Sequence, residues 1–203
     1  DPAVFDFLSS QIAQAIQAAA AALRPSAIAA GAIPTRGLIQ NRMRPDGPVD
    51  DTLRLIALWE EGRREPMAVI ADFAAHPTTL GAWNRELSAD YPGVLARAVE
   101  AKYPGSVCLF FAGAVGAQAP VKEGEGFARA ERIGTPLGEA ALAWLAKAQP
   151  AVAAGLSVRQ QTLRLPPARV RLGPRLALPA WLSRRLVDDD ATLTVVAVGP
   201  AIL

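Results

Sequence analysis

The residues able to do chemistry in this 203-residue chain are few, and they cluster. The only histidine, His76, ends an apolar run from Ala68 and enters a loop of Pro, Thr, Gly and Asn that passes Asn84 and reaches Ser88-Ala89-Asp90. An imidazole delivered to a polar loop at a strand end is placed where reactive side chains and metal ligands collect. The same residue can also be a satisfied structural histidine, and its placement leaves both readings open. Asp90 is either a helix cap or a site carboxylate. Asp72, near the end of the same strand, is either a partner that orients the imidazole or a solvated strand residue. A catalytic zinc site takes about three protein ligands and a water. This chain offers one histidine and one cysteine, Cys108, which lies in the apolar run Val107-Cys108-Leu109-Phe110-Phe111 and reads as a buried, unreactive thiol. A zinc ion here therefore needs carboxylates or ligands from elsewhere.

Other common site signatures are missing: the chain has no G-x-S-x-G elbow, Walker loop, G-x-G-x-x-G or H-E-x-x-H. Gly113-Ala-Val-Gly116 follows an apolar strand but lacks the Lys-Ser/Thr of a phosphate cradle. Lys and Arg exceed Asp and Glu by only two, so the composition carries no nucleic-acid footprint. A lone cysteine makes no internal disulfide, and the compartment stays open on that ground. The chain starts at Asp1-Pro2 and stops at Leu203 inside an apolar run from Val195, which predicts a segment of a longer protein, truncated at both ends.

The elements that must position His76 follow from hydrophobic period and punctuation. Phe5, Leu8, Ile12, Ile16, Ala19 and Leu23 recur at helical spacing and predict an amphipathic helix closed by Arg24-Pro25, whose Ala18–Ala22 run suggests close packing on a sheet. Residues 27–33 predict a short strand and residues 34–48 a loop. Thr52–Trp59 and Met67–Phe73 predict an antiparallel hairpin across the charged turn from Glu60 to Pro66. Asp90–Lys102 predicts a helix stopped by Pro104-Gly105, Val107–Phe111 a fully buried strand, and Phe127–Ala148 a second long helix. Leu156–Leu165 reads as a strand, Pro166–Pro179 as a Pro-rich arm, residues 181–186 as a short helix and Thr192–Val198 as a final strand. Helices alternating with strands that include a hairpin predict one α/β domain over residues 1–203, a mixed β-sheet layered with amphipathic helices. Arg164, Arg169, Arg171, Arg175, Arg184 and Arg185, interleaved with Leu, Pro and Trp181, are either a solvated rim or a peripheral contact with anionic lipid.

Three motifs in order, Phe73-Ala-Ala-His76-Pro-Thr78, Ser88-Ala-Asp90-Tyr-Pro-Gly93 and Phe110-Phe-Ala-Gly113-Ala-Val-Gly116-Ala-Gln-Ala-Pro120, resemble the N-terminal catalytic domain of the neutral/alkaline, non-lysosomal ceramidases. The Asn41-Arg42 pair and the first helix look like that family too. The resemblance implies a zinc-dependent amidase that hydrolyses the N-acyl bond of ceramide or a similar lipid amide. His76 is then one zinc ligand, and the metal polarises the carbonyl and activates water. Asn84, Ser88 and Asp90, with Gln118 from the facing loop, are the residues expected to border and bind the substrate. The resemblance also implies a secreted, periplasmic or membrane-associated protein, since members of that family commonly act outside the cytoplasm or at membranes. The sequence departs from the family pattern at Ala117, in place of an aspartate, and at Ala119, in place of a serine. Those departures admit a second reading, a catalytically inactive relative that binds lipid or a partner through the same pocket.

Overall fold

The computed structural model describes residues 2–152, 155–166, 168–171, 173, 176–187, 190–198 and 201–202. The chain groups into two compact units, Asp1–Val152 and Ala153–Leu203. In the first, the order is α1 (Pro2–Ala21), β1 (Ser26–Pro34), β2 (Ile39–Asn41), β3 (Thr52–Glu60), β4 (Ala68–Phe73), α2 (Asp90–Lys102), β5 (Val107–Ala112), a 3₁₀ turn (Val115–Ala117), β6 (Gln118–Pro120), α3 (Ala128–Leu145) and β7 (Ala151–Val152). The expected α/β architecture is present: a five-stranded mixed sheet ordered β5-β4-β3-β1-β7, antiparallel except for the β4–β5 pair. A two-stranded ladder of β2 with β6 stands apart from it.

Alternation along β3 and β4 sends Leu53, Leu55, Ala57, Trp59, Val69, Ala71 and Phe73 to one face, where α2 and α3 cover them with Tyr91, Leu95, Val99, Ile133, Leu137 and Ala141. Each such side chain contributes about 1.5–3 kcal/mol by leaving water. The two helices lie close because α3 carries glycine at the contact. A Cβ on Gly134 would stand 2.4 Å from that of Val94 and 2.6 Å from the Tyr91 carbonyl oxygen, so Gly134→Val would force the helices apart.

Two sequence expectations are corrected here. The first helix forms, but α1 buries none of its residues; its apolar stripe is real, and among the described residues nothing lies over it, so the alanine run packs against no sheet. Residues 107–111 form a strand that is not fully buried. β5 is a sheet edge, and alternation turns Val107, Leu109 and Phe111 to the face opposite α2 and α3, where each is about half exposed. Cys108 points the other way and is only partly buried, where the sequence predicted full burial; desolvation, with the nearby Glu100 charge adding to it, pushes its thiol up to about 12, which disfavours the thiolate.

The second unit contains β8 (Leu156–Arg164), α4 (Ala180–Leu186), β9 (Asp190–Val198) and β10 (Ala201–Ile202), with the strands in an antiparallel sheet ordered β10-β9-β8. Within the Pro-rich arm, Arg171 bridges to Ala177 and the Leu178 amide donates to the Val170 carbonyl at 2.8 Å. Arg175 of that arm lies outside the described residues. No helix among the described residues is long and apolar enough to cross a membrane.

Candidate functional site

Register places four loops at one end of the first unit's sheet. Pro34 of β1 pairs with Thr52 of β3, Arg54 of β3 with Asp72 of β4, and Phe73 of β4 with Ala112 of β5. The end of β1, the start of β3 and the ends of β4 and β5 therefore lie side by side. From them spring the loop into β2, the loop into β3, the His76 loop and the turn into β6. The carboxyl ends of parallel strands such as β4 and β5 are where open α/β sheets present their sites.

His76 stands three residues past β4 and is partly buried. Among the described residues its imidazole has no hydrogen-bond partner, while its carbonyl accepts from the Thr78 amide at 2.8 Å. The start of α2 fixes the backbone on both sides of it. Upstream, the Tyr91 hydroxyl donates to the Ala75 carbonyl at 2.6 Å. Downstream, the buried Asp90 carboxylate accepts from the Thr79 amide at 2.9 Å, the Thr79 hydroxyl at 2.7 Å and the Leu80 amide at 3.3 Å, and also from the Tyr91 amide at 2.7 Å. Asp90 makes these bonds from a left-handed backbone, φ 55°, which aspartate tolerates better than most residues. Ser88 assists by accepting the Asp90 amide at 2.9 Å. Asp90 is the first residue of α2 and not its N-cap, which is Ala89; it accepts the Tyr91 amide next to it and ties the helix to the His76 loop. Tyr91, buried edge-on against Phe73 and Phe110, was not singled out from sequence, because nothing in its neighbours tells which carbonyl its hydroxyl will reach. Burial, with the charges of Asp90 and Asp72 adding to it, raises its phenol pKa and keeps it a hydrogen-bond donor.

The turn into β6 lies against the same strand end. The Gly113 amide donates to the Phe73 carbonyl at 3.3 Å, and a Cβ on Gly113 would stand 2.9 Å from Asp72 Oδ1, so a side chain there would push the Asp72 carboxylate aside. Asp72 does not orient the imidazole, contrary to one sequence reading. Strand alternation puts it on the face opposite Phe73, where Arg54 lies 3.7 Å away. Arg54 also holds Asp50 at 2.8 Å. Desolvation raises the Asp72 pKa, with the Asp50 charge adding to the rise and Arg54 opposing it. Asp50 goes the other way: desolvation alone would raise it, but hydrogen bonds from Arg54 and the Thr52 amide, together with the Arg54 charge, bring it below the ordinary value.

Gln118 is buried, with its side-chain carbonyl accepting the Asp50 amide and its amide donating to the Ala114 carbonyl at 2.9 Å. It staples the loop before β3 to the turn before β6. A cleft of about 490 Å³ opens between them, lined by Asn41, Met43, Arg44, Val49, Ala117 and Gln118 among others. Ala119 is buried and pairs with Gln40 in the β2–β6 ladder. Asn84 closes a local turn on Glu86, accepting its amide at 3.2 Å and donating to its carbonyl at 2.8 Å. So Asp90 is tied to the His76 loop by direct bonds, Ser88 supports the Asp90 amide, Asn84 folds its own stretch of that loop, and Gln118 organises the neighbouring one.

Among the described residues no three of His, Cys, Asp and Glu converge. A zinc ion takes about three protein ligands, and the described residues do not bring that many together.

No protein-family model matches the sequence, and no curated protein matches it. Solved structures do. The neutral ceramidase from Pseudomonas aeruginosa aligns with a TM-score of 0.70 at 17% identity, covering 92% of this chain and 40% of that one. A ceramidase complexed with C2 aligns with a TM-score of 0.60 at 19% identity, covering 73% of this chain and 26% of that one. This chain spans well under half the length of either. At such identities the likeness is one of fold, and at that level it bears out the resemblance read from the three central motifs: the chain has the fold of the neutral ceramidases over the part of their length that it spans.

Proposed function

We propose that this chain is part of a zinc-dependent hydrolase that cleaves the N-acyl amide bond of a ceramide-like lipid amide, with His76 as one of the metal's ligands and the others outside the described residues. The observation that supports this most is the His76 imidazole, partly buried at the carboxyl end of a parallel strand and without a partner among the described residues, on a fold shared with neutral ceramidases. Its ring nitrogens are open to solvent and held by no side chain of the described residues, which leaves them free to take a metal. Asn84, Ser88, Asp90 and Gln118 serve the substrate by holding the loops that border it, since each already bonds to backbone nearby. Zinc would supply carbonyl polarisation and a water acidified towards neutrality.

A second reading is favoured by one feature. Ala119 and Ala117 put methyl groups where the resemblance calls for a serine and an aspartate, which suits a relative that binds lipid without turning it over. Elemental analysis of the full-length protein, with incubation on short- and long-chain N-acyl amides and ceramide, separates the two. The hydrolase reading expects bound zinc that His76→Ala loses, together with turnover that falls at least a hundredfold. Zinc retained undiminished by the alanine variant would sink it. Zinc lost by the variant, with every amide intact in both proteins, leaves the binding relative.

A further inference from the structure

The loop that starts at His76 carries two large apolar side chains that nothing among the described residues covers: Trp83 is 93% exposed and Leu87 fully so. The loop does not hang free. Asn84 closes the turn between them, and Asp90 anchors the base, so both side chains are presented without further ordering. Met43, 72% exposed, projects from the neighbouring loop at the same end of the sheet. The charges of the tip, Arg85 and Glu86, cancel.

We propose that Trp83 and Leu87 insert into the interfacial layer of a zwitterionic lipid bilayer and seat this end of the sheet on the membrane, with the His76 loop against the lipid. Tryptophan is the side chain that settles at the headgroup level, where its ring lies among acyl chains and its N–H reaches water. With no net charge at the tip, attraction to anionic lipid contributes nothing, so insertion is driven by apolar transfer and resists salt. This differs from a contact through the arginine-rich arm, which salt would release. The proposal stands apart from the hydrolase reading, because binding is read without turnover.

The test is flotation of the full chain with phosphatidylcholine vesicles in low salt and in about 1 M salt, where the Debye length is only ~3 Å. The wild type should float in both, and vesicles of brominated phosphatidylcholine should quench its tryptophan fluorescence. The double variant Trp83→Ala/Leu87→Ala, altered only at exposed positions, should keep the wild-type melting profile while its vesicle partition falls roughly tenfold or more. Four outcomes overturn the proposal: no flotation of the wild type; equal flotation of the double variant; flotation only with anionic vesicles and lost in salt; or Trp83-dependent self-association in sedimentation without vesicle binding.

Discussion

The two ends of the first unit's sheet solve the same problem by different means. At one end the turn from β3 to β4 is closed by main-chain bonds, the Arg63 amide to the Glu60 carbonyl and the Met67 amide to the Leu58 carbonyl, under a carboxylate between two guanidiniums: Glu60 with Arg24 at 3.0 Å and Arg63 at 3.7 Å. At the other end the charges are inverted, one guanidinium between two carboxylates, and long loops are held by side chains reaching backbone. Asp90, Tyr91 and Gln118 each bond to a main-chain group of a loop far along the chain. A short turn needs only its own backbone. Long loops that must hold a histidine in place leave amides and carbonyls without ladder partners, and buried side chains supply them.

That contrast predicts very unequal sensitivity to single changes. The largest loss belongs to Asp90→Ala, which strips a buried carboxylate from three amides and a hydroxyl and leaves alanine in a left-handed backbone. We expect about 3 kcal/mol less stability in urea unfolding. Asp90→Gly should be milder by about 1 kcal/mol, because glycine removes the backbone strain but not the lost bonds. Hydrogen exchange should quicken first at Thr79 and Leu80. If both variants unfold like the wild type, the side-chain clasp is not what holds the site end.

A smaller effect, and one that depends on pH, follows from the inverted charge arrangements. Burial raises the Asp72 pKa, so the folded state holds this proton more tightly than the unfolded chain does. Its contribution to stability is then lost as pH rises through the raised value, and the ionised carboxylate is a net cost at neutral pH. Asp50 contributes in the opposite sense, stabilising above the ordinary carboxylate pKa and losing that effect as pH falls through its lowered value. Asp72→Asn should therefore raise the urea midpoint at neutral pH, with the gap closing below about pH 4. A variant less stable than wild type at neutral pH would mean that attraction to Arg54 outweighs desolvation.

The same division marks what could be read from the chain beforehand. Elements set by local period were legible: Asp90–Lys102 came out as predicted, and the hairpin did so because two apolar runs flank one charged turn. The β2–β6 ladder was not, since three residues at 39–41 pair with three at 118–120 and neither stretch alternates enough to announce a strand. Burial was the weakest inference. The apolar runs of α1 and β5 were recognised, but which face a neighbour covers is a property of packing that no stretch carries alone. His76 was found by being alone at a strand end. The clasp by Asp90 and Tyr91 was not, because its partners lie more than one turn away along the chain and reveal themselves only in three dimensions.

The smallest predicted effect lies at the opposite end and tests the comparison from that side. Glu60 bonds Arg24 in a half-solvated setting, where water screens the pair and the long side chains lose freedom to hold it. Glu60→Gln should change stability by no more than about 0.5 kcal/mol. Gly62 is different, because the turn needs its φ of +80° and an alanine there would be strained even though nothing crowds it. Gly62→Ala should cost about 1 kcal/mol, more than the ion pair, if main-chain geometry closes this end. The reverse order, with Glu60→Gln the more damaging, would show that charge holds the hairpin turn as side chains hold the site end, and the distinction between the two ends would fail.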